Sequence, residues 1–359
     1  MARVFWDGFD VQNTGTNEGL DPQYWFAAAG SRSFVANGRF SPSRALQVSN
    51  AGATQALQCY MVPTPLASFA FAVAFFSTVI HEAGVCMGIM AVGATATGTY
   101  DSHIGLVWNA NGSISAVRRT GGTSTSFTVL ATSAPGTLAV STYAHFAISG
   151  VISDTIGEFK VVMNGNPIPL FDLTGIDTRN GASAVAASCI LGFAGSTGGS
   201  VATASVFYDD FVHDDVKATI PERKVVVLYA NADGATLNLT QSTGGTHFGV
   251  IDEAQVSQTD YLSGSTVGNF DLIDLTTLPY TPASIDGIAV RGYGAKTDAA
   301  LRSVNYGLKS GATDSLGADE VLASTITQKW RGLITDPNTA AAWTKAAVDA
   351  LQLKIRIAA

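Results

Sequence analysis

Charge is scarce in this chain. Only 13% of its 359 residues are Asp, Glu, Lys or Arg, about half the roughly 25% of an average soluble domain. The surface is therefore built largely from Gly, Ser, Thr, Ala and Asn and is weakly protected against association. The chain reads as one that buries part of itself against neighbours. Basic residues are the scarcer sign, 20 against 28 acids, for a net charge of -8. The adjacent pairs Arg118-Arg119 and Arg223-Lys224 read as solvated turns. Without a basic run to displace counterions from phosphates, nucleic acid is not an expected partner.

Cysteine is nearly absent. Cys59, Cys86 and Cys189 sit in apolar runs without CxxC or Cys/His spacing, which excludes a disulfide framework and a zinc site and leaves small buried hydrophobes. Long hydrophobic runs are missing too. The longest, 66–80, falls short of the roughly 20 residues that span a bilayer, so no membrane insertion is expected. Within it Phe69, Phe71, Val73 and Phe75 alternate with Ala70, Ala72 and Ala74. That period of two predicts a strand buried on both faces, large side chains on one side and small on the other. No signal-peptide pattern opens the chain, which runs from Met1 straight into a strand-like segment.

Glutamate is rare among the acids, occurring only at 18, 82, 158, 222, 253 and 320. Asp favours turns and Glu favours helices, so the skew suits a turn-rich all-β chain. The paired ExDxxE carboxylates of double-displacement glycosidases are absent. His81-Glu82 opens like a zinc-protease motif, but Val85 and Cys86 follow where the second His belongs. The five His are scattered and no GxSxG occurs, so a Ser/His/Asp triad has no support. Gly292-Tyr-Gly-Ala-Lys-Thr297 lacks phosphate-loop spacing and reads as a turn after a strand. The expectation is a chain that is not an enzyme, with no catalytic residue, cofactor or metal site.

Strand-like runs separated by Gly, Asn, Asp and Pro recur through residues 4–212. Strands 143–152 and 158–163 form a hairpin, and Asn164-Gly165 and Asn111-Gly112 are strong hairpin turns. The pattern breaks in the polar segment 214–224, read as a domain junction. Beyond it, strands are predicted at 225–229, 270–275, 285–293, 303–308, 321–328 and 353–358, with a turn at 231–234. One helix is predicted after Thr344 as N-cap, with Trp343 packing back on it as a staple. The fold class is all-β: a domain over 1–216 and a smaller β-rich module with one short helix over 225–359.

Phe5-Trp-Asp-Gly-Phe-Asp10, the 143–171 hairpin and Phe207-Tyr-Asp-Asp-Phe-Val212 resemble the concanavalin-A-like, laminin-G-like jelly roll. Val227-Leu-Tyr-Ala-Asn-Ala-Asp-Gly234, Val250-Ile-Asp-Glu253, Thr259-Asp-Tyr-Leu262, Thr335-Asp-Pro-Asn-Thr-Ala-Ala-Ala-Trp-Thr344 and Val348-Asp-Ala-Leu351 resemble bacteriophage virion proteins of the tail or appendage type. That resemblance implies a particle component, located in a virion assembled in the host cytoplasm. Its partners would be copies of itself and other virion proteins, with a glycan-binding, receptor-recognising module as the alternative.

Three groups of residues are candidates for ligands. Asp209-Asp210 and Asp214-Asp215 offer oxygens to calcium, but loop Asp side chains more commonly satisfy backbone N–H groups, and no D-x-D-x-D spacing is present. Tyr100, His103 and Trp108 would stack a sugar if exposed, and Trp108 equally fits a core strand end. The sequons at Asn111 and Asn238 read as polar turn and strand groups. No carbohydrate-binding residue is assigned.

Overall fold

The computed structural model describes residues 3–10, 25–29, 31–40, 43–49, 55–79, 87–95, 102–120, 127–194, 205–253 and 257–359. The chain divides into two compact units, Met1–Val225 and Val226–Ala359.

The first unit contains β1 (Arg3–Asp7), β2 (Trp25–Ala29), β3 (Ser31–Val35), β4 (Ala45–Ser49), β5 (Gln55–Leu66), β6 (Ser68–Ser77), β7 (Met87–Gly93) and β8 (Ser102–Trp108). It continues with β9 (Ile114–Arg119), β10 (Phe127–Thr132), β11 (Ala144–Val151), β12 (Gly157–Met163), β13 (Asn166–Ile176), β14 (Ala186–Ala194) and β15 (Ser205–Asp214). Two antiparallel sheets form a jelly-roll sandwich. One runs β13-β12-β11-β6-β15-β4-β3, with β1 also on β15, and the other runs β10-β9-β8-β7-β14-β5-β2.

The local chemistry behind the sandwich is plain at two places. Asn164 (φ 49°) and Gly165 (φ 76°) both take the left-handed conformation that a two-residue turn between β12 and β13 requires. In β6, Phe69, Phe71 and Phe75 are fully buried on the side facing the second sheet, where Phe75 meets Trp108 edge-on at 5.9 Å. Phe5, Tyr60 and Phe211 extend this aromatic interior, the Tyr60 ring centroid lying 4.9 Å from each of the other two. Ala70, Ala72 and Ala74 lie on the opposite face and are equally buried, because other parts of the unit cover them. Cys59 and Cys189 are free and buried, and burial pushes the Cys59 thiol up to about 12. Cys86 lies outside the described residues.

The segment read as a junction, 214–224, is instead part of the first unit. Asp214 ends β15, Ile220 is buried against Ala72, Ala147 and Val212, and Lys217 pairs with Glu158 at 2.6 Å. Its polar composition reflects one side facing solvent and the other facing the sheet.

The second unit contains β16 (Ala230–Leu237), β17 (Thr240–Gln241), β18 (Leu262–Ser263), β19 (Phe270–Leu275), β20 (Ile288–Gly294), β21 (Ser303–Ser310), β22 (Thr313–Leu316), β23 (Glu320–Val321), β24 (Thr327–Leu333), α1 (Lys345–Asp349) and β25 (Gln352–Ile357). Its main sheet runs β16-β19-β25-β21-β22, with β23 on β21, while β17-β18 and β20-β24 form separate pairs. Thr344 caps α1, its hydroxyl accepting the Ala347 N–H at 3.1 Å. Trp343 and Val348, N′ and N4 of that helix, share the apolar cluster of this unit, the arrangement of a hydrophobic staple.

Three expectations are corrected here. Residues 225–229 are not a strand, because their N–H groups turn to side chains: Val225 to Asp210 at 2.7 Å and Tyr229 to the Thr276 hydroxyl at 3.1 Å. Residues 231–234 lie in β16 instead of a turn. That strand is bulged on β19, and Asp233 uses its carboxylate to accept the Phe248 N–H at 2.7 Å. The 321–328 strand is broken because the chain leaves β21 after β23 and rejoins β20 as β24.

Candidate functional site

The outer face of the eight-stranded sheet, turned away from the second sheet, is arranged in rows across the strands. The first row runs Ser33, Gln47, Phe207, Phe76 and ends at Tyr143. The next sets Asp209 and His145 on either side of Ala74. A third places Val212, Ala72, Ala147 and Val162 together. The small side chains of β6 create the space in which covering groups settle. Ile220 and Trp6 close the third row, and Arg39 reaches the carboxylates of the second.

A β-bulge in β15 between Asp209 and Val212 brings two consecutive carboxylates to Arg39. Asp210 takes φ 52° there, a conformation that non-Gly residues hold only when their surroundings enforce it. Asp209 accepts the Arg39 backbone N–H at 2.8 Å, the Ser43 hydroxyl at 3.3 Å and the Asp210 N–H at 2.7 Å. Asp210 accepts the Val225 N–H at 2.7 Å and faces the Arg39 guanidinium at 3.4 Å. Arg39 also donates to the Arg223 carbonyl at 3.2 Å and to Glu222. Close by, Asp10 accepts the Arg44 N–H at 2.7 Å.

These carboxylates are proton-holding groups. Burial raises Asp209 to about 8 and Asp10 to about 7, with the Asp210 charge adding to both. Burial also raises Asp210, to about 6, against the lowering effect of the Val225 N–H and Arg39. Burial lowers His145 to about 3, helped by Arg39 and Arg223, so its imidazole is neutral, and its buried Nε2 has no hydrogen-bond partner. Perturbed groups of this kind cluster at functional sites and in structural ion networks alike. Here Asp210 fastens the 217–225 strap to the sheet through the Val225 N–H, and Arg39 ties it to the strap at Glu222 and the Arg223 carbonyl.

The first row is accessible. Phe76, Tyr143 and Phe207 are half-buried. Phe76 stacks at a tilt on Tyr143 with centroids 5.0 Å apart and meets Phe207 edge-on at 5.6 Å. Tyr143 donates its hydroxyl to the Asn37 carbonyl at 2.5 Å, and burial raises its pKa above the usual phenol range. The row continues in a polar ladder, Ser33 donating to Gln47 Oε1 at 3.0 Å and Gln47 Nε2 to Ser205 at 2.8 Å. An aromatic surface flanked by amide and hydroxyl groups can stack on the apolar face of a ring and exchange hydrogen bonds at its edge.

The sequence candidates fall elsewhere. Trp108 is 2% exposed and belongs to the core. His103 is fully buried, bonded to the Asn180 N–H at 3.0 Å and the Val185 carbonyl at 3.1 Å. Tyr100, His81 and Glu82 lie outside the described residues. Asp209 and Asp210 do accept backbone N–H groups, as loop Asp side chains do. Among the described residues no group of three or more His, Cys, Asp or Glu is placed to hold a metal ion. The Phe207-Phe76-Tyr143 row escaped notice because its members come from three separate segments. Its one sequence signal was Phe76 itself, which follows Phe75 and breaks the alternation of β6.

No family model and no curated protein matches the sequence. Among solved structures, the chain is similar to a carbohydrate esterase from Shiga toxin-encoding bacteriophage phi24B, at 15% identity and TM-score 0.36, covering 53% of this chain and 89% of that one. It is similar to a carbohydrate binding module from Bacillus subtilis at 10% identity and TM-score 0.34, covering 53% and 95%. It is also similar to the Bacillus licheniformis β-glucanase at 11% identity and TM-score 0.39, covering 60% and 99%. The likeness is one of sandwich architecture and transfers no residue's role.

The expectation that the chain is not an enzyme is corrected on this comparison. The matching structures are mostly carbohydrate-active enzymes, glucanases, sialidases, an alginate lyase and an esterase among them. The missing ExDxxE pattern bears on one reaction class only, and one architecture hosts several chemistries.

Proposed function

We propose that the chain is a carbohydrate-recognising component of a bacteriophage particle, with its glycan seat on the outer row Ser33, Gln47, Phe207, Phe76 and Tyr143. The observation that carries this reading is the half-buried aromatic cluster continuous with a polar ladder, beside the part of the face that Arg39 and the strap cover. Aromatic rings at an accessible surface are held at a cost in solvation that a stacking ligand offsets. The particle assignment is supported by the low charge and by the resemblance of the C-terminal motifs to virion proteins.

The test is a glycan array probed with the full chain and with Phe207→Ala, beside peptide quantification in density-gradient-purified particles. Binding to defined glycans that weakens about tenfold in Phe207→Ala supports the seat. Binding unchanged in a folded Phe207→Ala chain, or no binding to any glycan, refutes it. A chain left in the soluble lysate at particle purification refutes the virion assignment separately.

A further inference from the structure

The sandwich holds a second site, on the inner side of the same sheet. Where β5 turns into β6, the space between the sheets opens into a cavity of about 340 Å³. Phe69 and Phe71 form one wall, their rings nearly parallel at 6.1 Å, and the imidazole of His213 continues it, stacked on Phe71 at 4.9 Å. Thr64 and Ser68 bring hydroxyl groups, and Asp215 a carboxylate.

One of these polar groups awaits a partner. His213 is 5% exposed, and its Nδ1 shares a hydrogen bond with the Tyr60 hydroxyl at 3.2 Å. Asp215 Oδ1 is buried and has no hydrogen-bond partner. Buried polar atoms are almost always satisfied, so this carboxylate oxygen at the cavity calls for a ligand that donates to it. Burial lowers His213 to about 4, which keeps the imidazole neutral at neutral pH.

The lining chooses the ligand. Among the described residues no Lys or Arg lines the cavity, and the Asp215 carboxylate disfavours an anion. A hydrocarbon would leave Asp215 Oδ1 unpaired. An ammonium would answer Asp215 and can donate to the hydroxyl groups, but it accepts no hydrogen bond from them and presents no extended C–H face to Phe69 and Phe71. A neutral polyol donates to Asp215, exchanges hydrogen bonds with His213, Thr64 and Ser68, and lays its C–H face on Phe69 and Phe71. The volume lies at the low end of the roughly 300–1,000 Å³ of small-molecule sites and suits one ring. We propose that this end cavity binds a single neutral sugar-sized polyol ring. The inference stands apart from the outer-face reading, because Phe71 and His213 point to the opposite side of the sheet from Phe76 and Phe207.

The experiment is saturation-transfer NMR on the full chain with glucose, galactose and mannose at millimolar concentration. Glucosamine and N-acetylneuraminate serve as cationic and anionic controls. Transfer to at least one neutral hexose is expected, weakened about tenfold or more in Thr64→Trp, which fills the cavity. Val129→Ala, on the exposed β10 edge, is expected to bind as the parent does. If Thr64→Trp loses its cooperative thermal transition, Leu66→Trp at a 42% exposed lining position takes its place. No transfer from any neutral hexose, preference for a charged control, or transfer that survives the filled cavity each overturns the proposal.

Discussion

Arg39 and Asp210 stand 171 positions apart in sequence and meet at 3.4 Å, with the carboxylate 1% exposed. The same arginine holds Asp209 through its backbone and the strap through Glu222 and the Arg223 carbonyl. One side chain therefore fastens the β3–β4 connection, β15 and the strap together. Arg39→Met removes the cation and leaves the buried Asp210 carboxylate without its guanidinium partner. The expected loss is about 3–5 kcal/mol, measured by urea unfolding at neutral pH. A loss under about 1 kcal/mol would show that the network is screened like a surface pair.

Asp209 gives the first unit a distinctive pH dependence. Its folded pKa, about 8, lies above the ordinary 3.8, so the folded chain keeps a proton that the unfolded chain has released. The associated stability is complete below about pH 4 and is lost as pH rises toward 8. Asp10, raised to about 7, acts in the same direction. Asp209→Asn cannot ionise. Its urea midpoint should fall less than the parent's between about pH 5 and pH 8. Equal declines in the two proteins would contradict this.

His145 acts on the other limb. Its folded pKa of about 3 lies below the ordinary 6.5, so its stability contribution is present above about pH 6.5 and is lost as pH falls toward 3. Because Nε2 is buried without a partner, His145→Leu forfeits no side-chain hydrogen bond from that atom. It should change stability by less than about 1 kcal/mol at pH 7 and raise it over the parent near pH 4. Thermal melts at the two pH values decide the matter, and a variant as acid-sensitive as the parent would be the failing result.

In the second unit Asp271 is fully buried. It accepts the N–H groups of Asn238 and Leu239 at 2.7 and 2.9 Å and meets His247 Nδ1 at 2.5 Å. Asp271→Ala leaves the Leu239 N–H and His247 Nδ1 without this partner and the Asn238 N–H with only its 3.3 Å bond to the Phe270 carbonyl, and the expected destabilisation is about 3 kcal/mol. Asp271→Asn keeps one acceptor oxygen and should recover part of it. Hydrogen exchange at Asn238 and Leu239 reports the change locally. Unaltered protection in Asp271→Ala would count against the account.

Local chemistry was legible in the chain wherever neighbouring residues decide the outcome. Asn164-Gly165 specify a turn because both positions need positive φ. The Phe/Ala alternation of β6 specifies a strand with a bulky and a small face. Thr344 and Trp343 specify the start of α1 through a cap and a staple within a few residues. The low Glu count and the spacing of strand-like runs were enough for the all-β class.

Other outcomes depended on what lies across space. Residues 225–229 have a strand composition, but β pairing needs a partner edge, and Val225 and Tyr229 give their N–H groups to side chains instead. Trp108 became core because Phe75 faces it across the sandwich. The 214–224 segment looked like a junction and packs as a strap, since the small outer face of β6 leaves room for Ile220. The aromatic row and the end cavity are assembled from segments tens to more than a hundred positions apart. A sequence by itself determines conformational preference and which face of an element is apolar. Burial, pairing partner and the proximity of distant side chains are decided by tertiary packing, because those energies depend on groups that the local chain does not contain.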